Sequence, residues 1–486
     1  MPIDITKNIS SESSSILDAM NILDSGVYGI VLIVDNRGRL TGVLTDGDIR
    51  RALLSGASVS DSLSVHMNRD FISANEIDDR KSILALLSKS CRHVPILDSE
   101  GRPKDVVSLA EIWSIGVSAP YLGGNEMKYV ADCIANGWIS SQGKYVGQFE
   151  QMLADFCGVR HAISTSSGTG ALHLALAALG VGRGDEVIVP NVTFGASANT
   201  VLACGATPVF IDIDPHNWTM DINALEAGLT EHTRAIMPVH LYGHPCQMNA
   251  IKAFAEEHSL FVVEDCAEAL GATYVGQRVG SFGHTGCFSF FPNKIVTTGE
   301  GGAVVTDDDD LADRLRILRS HGMDPKRRYW HLVPGFNYRM TNLQAAVGVA
   351  QMERVDDFLE ERRHIRARYE EQLSNLPGIL FQKEEDWAES VCWLFTITID
   401  KRKCNIDRSI VIEKLTRSGV DTRTVFPPLS IQPAFQGRPG HYPNSSIFSE
   451  QGLSLPTRNG FSDEEIDYVC DCIKSLFDGA EIHYDN

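Results

Sequence analysis

Between residues 160 and 306 the chain alternates between short apolar runs and longer segments with helix-like apolar spacing. The runs "EVIVP", "RAIMPV" and "SLFVVE" are apolar almost throughout, which is typical of strands covered on both faces. This alternation predicts an α/β fold with a mainly parallel sheet wrapped by helices. We expect strands at 161–165, 186–190, 208–212, 234–239, 260–264, 286–290 and 302–306, and helices near 169–179, 196–204, 221–229, 246–257 and 308–319.

Beyond about residue 365 the alternation weakens. The run "FTITID" at 395–400 indicates a strand, and the segments 408–418 and 462–477 are helix-like, which together predict a smaller α+β domain. The predicted organisation is an N-terminal module at 1–115, a large domain with its N-terminal segment at 116–365, and a small C-terminal domain at 366–486.

The first 113 residues contain an internal repeat at a constant offset of 63. The turn "VDNRG" recurs as "LDSEG", Thr45 as Ser108, and Asp48 as Glu111. Each copy predicts a helix, a strand, a glycine-containing turn, a second strand and the start of a helix. Such a repeat predicts two similar small units that pack on each other.

The repeat resembles a pair of CBS motifs, and "GVLTDGDIRRALLSG" carries this resemblance most specifically. In that family a Thr or Ser at a strand end and an Asp three residues later contact the phosphate and ribose of a nucleotide. The resemblance implies that Thr45 and Asp48 bind a nucleotide. The second copy keeps Ser108 but has Glu111 in place of the aspartate. A pair that only packs and dimerises is the alternative.

Composition and charge narrow the class of protein. The chain has 486 residues, 43% of them hydrophobic, and this length predicts two or three domains. Its net charge of −20 disfavours nucleic acid as a partner, because phosphate backbones need a clustered basic surface. No run reaches the roughly 18 apolar residues of a membrane span, so we expect no membrane association and a cytoplasmic location. The 11 dispersed cysteines form no paired CxxC motifs, which favours reduced thiols over a structural zinc site.

The stretch "STSSGTGALHLALAALG" (164–180) is a candidate anion site. Its small residues lie between a strand and an apolar helix, so the free N–H groups of the first helical turn point outward with the positive end of the dipole. A glycine-rich turn between strand and helix is also a common structural device. The motif alone therefore leaves both interpretations open.

A carboxylate and a lysine follow further along the chain. The apolar strand in "LFVVEDCAEALGA" delivers Asp265 at its carboxyl end, where open α/β sheets bind ligands. Lys294 follows another strand in "FSFFPNKIVTTGEGG" (288–302), and a partly desolvated amine near a carboxylate suits Schiff-base chemistry. Pyridoxal 5′-phosphate needs a lysine for its aldehyde, an acid for its pyridine nitrogen and a phosphate site. These stretches together predict such a cofactor site.

Two histidines are candidate metal ligands. His240 and His244 lie in "VHLYGHP", but no carboxylate or cysteine cluster accompanies them in the sequence, so a structural or pocket-lining role is favoured. We therefore expect no metal.

Six motifs in order resemble the sugar aminotransferases of fold type I, the DegT/DnrJ/EryC1/StrS group. The resemblance covers roughly 120–478 and implies a pyridoxal 5′-phosphate-dependent transferase fold of type I, preceded by the CBS pair. The motifs are "SSGTGALHLAL", "PNVTFGASANTVLACGATPVFIDID", "PVHLYGHP", "VVEDCAEALGA", "FSFFPNKIVTTGEGG" and "NYRMTNLQAAVG".

Carried over residue by residue, the resemblance implies that Lys294 binds the cofactor aldehyde, Asp265 partners the pyridine nitrogen and Phe194 stacks on the ring. Asn337 is implied to reach the phosphate from a neighbouring subunit, so a homodimer or higher homo-oligomer is expected. Glu268 is implied to lie near the phenolic oxygen of the cofactor. The phosphate itself is implied to be held by Gly168, Thr169 and Ser289.

Within the family, "GWISSQGKYV" and "HGMDPKRRYWHLVPGFNYRMTN" are most similar to the perosamine synthases. Those enzymes aminate C4 of GDP-4-keto-6-deoxymannose, which implies a nucleotide-sugar substrate with glutamate as amino donor. A UDP- or dTDP-linked keto sugar is the alternative substrate, and a non-catalytic CBS-containing regulator is the alternative of another class. For the CBS pair, a guanine nucleotide or the GDP-sugar product is the first candidate ligand and an adenine nucleotide the second.

Overall fold

The fold is described from a computed structural model. The structure describes residues 5–25, 29–78, 82–83, 86–87, 91–108, 115–435 and 440–477. The chain divides into two units, Met1–Ile115 with Glu413–Asp421, and Gly116–Ile412 with Thr422–Asn486. Within the described ranges, no helix combines the length and the apolar character that a bilayer span requires.

The internal repeat folds into two small sheets with the same pattern. Their strands are β1 (Ile9–Ser11), β2 (Ile30–Val34), β3 (Leu40–Thr45), β4 (Ala74–Asn75), β5 (His93–Leu97) and β6 (Pro103–Ser108). In each sheet the central strand pairs parallel with the first strand and antiparallel with the last. Gly38 and Gly101 lie in the corresponding turns with the same φ of 77°, a left-handed conformation that glycine adopts without strain. Among the described residues before β4, the helices are α1 (Ile16–Ser25), α2 (Asp46–Leu54) and α3 (Leu63–His66).

The larger unit is built on a seven-stranded sheet. Its strands, with those of a small neighbouring ribbon, are β7 (His161–Thr165), β8 (Glu186–Pro190), β9 (Thr207–Ile211), β10 (Thr233–Ile236), β11 (Phe261–Asp265), β12 (Thr273–Tyr274), β13 (Gln277–Arg278), β14 (Thr285–Ser289) and β15 (Gly302–Thr306). The order is β7-β15-β14-β11-β10-β8-β9. Among these described strands, β15 runs opposite to the other six, and all pairs that do not include β15 are parallel. The predicted mainly parallel sheet is therefore confirmed.

One predicted strand is shorter than expected. The run 234–239 was expected to be one strand, but β10 ends at Ile236. Met237 still donates its N–H to the carbonyl of Ile188 at 2.8 Å, whereas Pro238 has no N–H to donate. The pairing with β8 therefore ends at the proline, whereas on the side of β11 the N–H of Asp265 still donates to the carbonyl of Pro238 at 2.8 Å.

Helices cover the sheet on both faces. The helix α6 (Gly168–Ala178) has seven of its 11 residues buried, and it begins three residues after β7 ends. The predicted helix 221–229 is instead a 3₁₀ turn, Ile222–Ala224, followed by a short α-helix. The helices are α4 (Glu126–Asn136), α5 (Lys144–Cys157), α6 (Gly168–Ala178), α7 (Ala196–Ala203), α8 (Leu225–Gly228), α9 (Met248–Glu257), α10 (Asp309–Arg319) and α11 (Asn342–Met352).

The C-terminal part carries an antiparallel sheet of order β16-β18-β20-β19, which agrees with the predicted α+β character. Its strands are β16 (Ile379–Phe381), β17 (Ala388–Glu389), β18 (Thr396–Ile399), β19 (Arg423–Thr424) and β20 (Gly452–Ser454), of which β17 joins the ribbon of β12 and β13. Its helices are α12 (Val355–Leu373), α13 (Lys401–Cys404), α14 (Arg408–Arg417), α15 (Pro443–Gln451) and α16 (Asp463–Phe477). The domain boundary predicted at 365 falls inside the continuous helix α12, so this boundary stays a prediction.

Candidate active site

A cavity of about 470 Å³ lies in the larger unit, at the carboxyl ends of β11 and β14. Asp265 ends the first of these strands and Ser289 the second, and both side chains line the cavity. Seven of the eight cofactor residues expected from the sequence line the cavity, namely Gly168, Thr169, Phe194, Asp265, Glu268, Ser289 and Lys294. The fold therefore brings together residues that lie more than 120 positions apart in the sequence.

The N-terminus of α6 forms one wall of the cavity. The hydroxyl of Ser167 caps the helix by accepting a hydrogen bond from the N–H of Gly170 at 3.0 Å. A Cβ at Gly168 would lie 2.6 Å from the Cβ of Ser289, so only glycine allows this close approach. The first N–H groups of a helix have no intrahelical acceptor and attract anions. This wall therefore fits a phosphate group.

Asp265 forms the opposite, buried part of the site. Its side chain is 5% exposed, and it accepts hydrogen bonds from the Ser197 hydroxyl at 2.8 Å and the Ala267 N–H at 3.1 Å. Burial raises the pKa of Asp265, and this effect outweighs the hydrogen bonds, which lower it. A cationic partner, such as a protonated ring nitrogen, would stabilise the charged form of this carboxylate.

Lys294 and Glu268 form a buried pair beside Asp265. The Lys294 Nζ lies 3.6 Å from Glu268 Oε1 and 3.7 Å from the centre of the Trp393 ring. Burial lowers the pKa of the Lys294 amine, although both carboxylates raise it. Burial likewise raises the pKa of Glu268 to about 7, against the opposing effect of Lys294. The amine therefore lies where a neutral form is accessible, as nucleophilic and proton-transfer chemistry requires.

Aromatic side chains close the cavity from two sides. Phe194 leaves 61% of its surface exposed, and its ring centre lies 6.0 Å from that of Phe426. Tyr242 stacks on both Phe426 and Trp393, and its N–H donates to Glu268 Oε2 at 2.9 Å. The open face of Phe194 can cover a planar ring. A phosphate-binding helix end, a buried carboxylate, an amine and an aromatic face are the groups that pyridoxal 5′-phosphate requires, so these residues fit that cofactor.

Sequence reasoning missed several lining residues. Asn293, Trp393, Arg423 and Phe426 line the same cavity. The last three come from the C-terminal part, more than 90 residues after Lys294, and no local motif linked them to it. Asn293, which directly precedes Lys294, was the one that the lysine motif itself could have indicated.

Asn337 is the expected cofactor residue that does not line the cavity. It is exposed, and its Oδ1 accepts a hydrogen bond from Arg339 Nε at 3.1 Å. Asn337 is therefore not part of the cavity of its own chain. A contact across a subunit interface stays a prediction.

The fold gives His240 a carboxylate and a thiol as neighbours, contrary to what the sequence indicated. His240, Glu264 and Cys266 place ligand-type atoms within 4.8 Å of one another, all buried. His240 Nδ1 accepts the N–H of Cys246 at 2.9 Å, so Nε2 carries the proton that it donates to Glu264 at 3.1 Å. Glu264 also accepts three backbone N–H groups, from Gly280, Phe282 and Gly283. Protein donors thus occupy this carboxylate, which ties the loop after β13 to the strand that ends in Asp265.

His244 is also buried and bonded to the protein. Its Nδ1 donates to the carbonyl of Pro245 at 2.8 Å, and burial lowers its pKa to about 4. This agrees with the structural role favoured for the two histidines.

In the N-terminal unit, Thr45 and Asp48 lie together at the start of α2. Asp48 Oδ2 accepts the N–H of Thr45 at 2.8 Å and its hydroxyl at 2.6 Å, and Oδ1 accepts from Arg51. The carboxylate therefore already caps the helix, which sequence reasoning did not foresee. Ser108 ends β6, and Glu111 lies outside the described residues.

Comparison with known proteins agrees with both resemblances inferred from the motifs. The DegT/DnrJ/EryC1/StrS aminotransferase family matches residues 120–474, and the CBS domain matches 9–55 and 59–112. The first match covers well over half of the chain, and the second covers both copies of the repeat.

Individual relatives match the same part of the chain. The GDP-perosamine synthase of Caulobacter vibrioides is 47% identical over 367 residues, which are 74% of this chain and 98% of that protein. The GDP-perosamine synthase of Vibrio cholerae is 40% identical over 365 residues, with coverage of 75% and 99%. Because these matches already cover 98% and 99% of the two relatives, almost none of their residues remain to align with the N-terminal repeat.

Solved structures show the same fold. DesV of S. venezuelae is 36% identical with a TM-score of 0.69, covering 74% of this chain and 95% of that one. A putative sugar aminotransferase from Streptococcus pneumoniae, solved in its PLP form, is 29% identical with a TM-score of 0.70 and coverage of 74% and 98%.

Proposed function

Since the chain belongs to the DegT/DnrJ/EryC1/StrS aminotransferase family, and is a pyridoxal phosphate-dependent sugar-nucleotide aminotransferase, we propose that it transfers an amino group from glutamate to C4 of GDP-4-keto-6-deoxymannose. The observation that carries the choice of substrate is the identity of 40% to 47% with three GDP-perosamine synthases, over 98% or more of their length. The product would be GDP-perosamine.

The cavity residues are assigned roles by their positions. The N–H groups at the start of α6 and the Ser289 hydroxyl would hold the phosphate, and Phe194 would cover the ring. Asp265 would accept a hydrogen bond from the protonated ring nitrogen and so keep that proton in place. Pyridoxal phosphate, when bound, supplies the electron sink that stabilises negative charge on the carbon that loses its proton.

Proton transfer is assigned to Lys294. Its Nζ takes the proton from Cα of the amino donor and returns a proton when the sugar is aminated. Glu268, 3.6 Å away, accepts a proton from the lysine and so favours its neutral form. The buried position of both groups keeps water from competing for that proton.

A substrate panel tests the proposed reaction. The purified enzyme is incubated with glutamate and GDP-, UDP- or dTDP-linked 4-keto-6-deoxy sugars, and the products are identified by mass spectrometry. We expect amination of the GDP sugar with stoichiometric release of 2-oxoglutarate. Preferential amination of a UDP or dTDP sugar would replace the proposed substrate.

The active site is further proposed to be shared between two subunits, because Asn337 is exposed and lies outside the cavity of its own chain. Mixing inactive Lys294→Ala with Asn337→Ala subunits should then regenerate some sites with both residues intact. Mixed dimers are isolated through two different affinity tags, and their activity is compared with that of each parent. Mixed dimers no more active than the parents would contradict the sharing.

The N-terminal unit is proposed to bind a guanine nucleotide or the GDP-sugar product through Thr45 and Asp48. Support comes from the CBS match and from the position of both residues at the end of β3, where a helix begins. Binding there would adjust the activity only if the ligand favours one of two conformations of the enzyme.

A further inference from the structure

Trp393 makes two different contacts with the segment that carries Lys294. Its indole Nε1 donates a hydrogen bond to the carbonyl of Asn293 at 2.7 Å, and Asn293 directly precedes the lysine. The Lys294 Nζ lies 3.7 Å from the centre of the Trp393 ring. One side chain therefore contacts both the peptide bond before the lysine and the amine at the end of its side chain.

Trp393 is itself firmly held. Its N–H donates to the carbonyl of Tyr242 at 3.0 Å, and its carbonyl accepts from the buried guanidinium of Arg362 at 2.7 Å. The residue is 3% exposed, and its ring lies within 13° of parallel to the Tyr242 ring, with 6.1 Å between the ring centres. Such a residue has little freedom to move, so it gives Lys294 a rigid support.

The Asn293 carbonyl also receives a second, longer hydrogen bond. The hydroxyl of Ser118 donates to it at 3.3 Å. A hydrogen bond of 2.7 Å is closer to the preferred length than one of 3.3 Å, so the indole is the stronger of these two donors. Without the indole, the peptide bond before Lys294 would depend on the weaker contact.

Charged groups surround the amine of Lys294. The carboxylates of Glu268 and Asp265 favour its charged form, whereas burial and the charge of Arg423 favour the neutral form. An aromatic face attracts an ammonium group, and more strongly where water is excluded. The Trp393 ring therefore adds to the attraction that keeps the charged amine beside the two carboxylates. Four charged side chains among the described residues line the cavity with Lys294, namely Asp265, Glu268, Glu300 and Arg423.

We propose that Trp393 is a positioning residue for Lys294. Its Nε1 holds the peptide bond before the lysine, and its ring holds the amine beside Glu268 whenever the amine is not bonded to the cofactor. In transamination the lysine amine leaves the cofactor aldehyde when the amine of the donor takes its place, and it must then reach the proton on Cα. Because a lysine side chain is flexible, an unsupported amine would spend less time within reach of that proton. The inference rests on the role proposed for Lys294 in transamination.

Competitive labelling of the cofactor-free enzyme tests the contact with the amine. Trace acetic anhydride is applied at a series of pH values, and mass spectrometry quantifies acetylation of the peptide that contains Lys294. Because the ring favours the charged form, Trp393→Leu should lower the apparent pKa of the Lys294 amine by about 0.5 to 1. Trp393→Phe keeps an aromatic ring and should lie between Trp393→Leu and the wild type. An unchanged or raised pKa in Trp393→Leu would overturn the contact with the amine.

The kinetics of the glutamate half-reaction test the hydrogen bond from Nε1. This half-reaction is followed by the visible absorbance of the cofactor, with ordinary glutamate and with glutamate deuterated at Cα. Trp393→Phe loses the Nε1 donor, so its maximal rate should fall about 2- to 10-fold. The deuterium effect should increase, because transfer of the Cα proton becomes slower, and the glutamate concentration at half-maximal rate should stay unchanged. Ser118→Ala, which loses the longer bond, should show a smaller fall.

Two outcomes of these kinetics would contradict the proposal. An unchanged maximal rate in Trp393→Phe would show that Nε1 does not position the lysine. A changed glutamate concentration at half-maximal rate, with an unchanged deuterium effect, would mean that Trp393 acts in donor binding instead.

Trp218 supplies the matched control. It is a buried tryptophan of the same core, 4% exposed, with its ring centre 4.5 Å from that of Phe448, and it is not among the described residues that line this cavity. Trp218→Phe and Trp218→Leu should leave the labelling of Lys294 and the deuterium effect as in the wild type. An equal fall of the pKa in Trp218→Leu would indicate a general loss of packing and overturn the proposal. The labelling needs neither substrate nor cofactor, so its outcome does not depend on the proposed transamination.

Discussion

Asp265 ends a strand and Asp48 follows one by three residues, yet the surroundings of the two carboxylates differ. Asp265 is 5% exposed, and burial raises its pKa more than the hydrogen bonds from Ser197 and Ala267 lower it. At Asp48, whose side chain is 22% exposed, burial would also raise the pKa, but hydrogen bonds from Thr45 and Arg51 outweigh it and lower the pKa. Within the described part of the chain Asp265 forms no ion pair, whereas Asp48 is bonded within its own helix.

Spacing alone therefore does not identify a ligand site. Both aspartates were selected because they follow strands in a familiar pattern. Around Asp265 the fold adds Lys294, Glu268 and an anion-binding helix end, all facing one cavity. Around Asp48 the neighbouring groups belong to the same turn of helix, and its partner Arg51 is 73% exposed. A ligand at Asp48 must therefore compete with the helix cap.

The largest effect is expected at Lys294, on the buried side of this comparison. Lys294→Ala removes the group that moves the proton, so turnover should fall by about 10²–10⁴-fold or more. The rate is measured at saturating cofactor and both substrates, with Lys383→Ala, an exposed lysine, as the control. If the variant kept more than about a tenth of the wild-type rate, Lys294 would not be the base.

Asp265→Asn should produce the next largest effect. A neutral amide cannot hold a protonated ring nitrogen as well as a carboxylate, so both half-reactions should slow by about 100-fold or more. The variant should still bind the cofactor through the phosphate wall, as its visible absorbance would show. Equal rates in Asp265→Asn and the wild type would remove the distinction between the two aspartates.

The pH dependence of stability sharpens the contrast further. Burial raises the pKa of Glu268 to about 7, above its usual value of 4.5. Between these values the folded chain holds a proton that the unfolded chain releases, so rising pH disfavours the folded state. In cofactor-free protein, Glu268→Gln should remove about 2 kcal/mol of the loss in unfolding free energy between pH 5 and 7.

That measurement uses thermal or denaturant unfolding across the pH range. Glu300→Gln, which alters an exposed carboxylate lining the same cavity, should leave the slope as in the wild type. An identical slope in Glu268→Gln and the wild type would contradict the raised pKa.

The smallest effects are expected at Asp48. Asp48→Ala should weaken nucleotide binding about 10- to 100-fold, measured by calorimetry on the whole chain with GTP, GDP and ATP. It should also cost about 1 kcal/mol of stability, because the N-terminus of α2 loses its cap. Asp46→Ala is the matched control, since Asp46 lies in the same turn and, of the residues that the structure describes, pairs with the exposed Arg50 alone. If no nucleotide binds the wild type at millimolar concentration, the pair only packs and dimerises.

The sequence alone determined most of the sheet and the centre of the site. Strands such as β7, β8 and β15 were predicted at their observed bounds, because each is a short run in which almost every position is buried and polar or glycine residues border it. Lys294 and Asp265 were selected because each follows such a strand, and parallel strands deliver their carboxyl ends to one edge. The repeat offset likewise reproduced the matching turns at Gly38 and Gly101.

The tertiary structure alone decided what surrounds these residues. Trp393, Arg423 and Phe426 enter the cavity from the C-terminal part, and Glu264 meets His240 across neighbouring strands. No local pattern encodes such meetings, because they depend on how elements distant in the sequence pack. The ionisation of a carboxylate also depends on packing, because burial and neighbouring groups shift its pKa away from the value typical of its residue type. The sequence therefore specified which groups are present, and packing decided which of them are free to act.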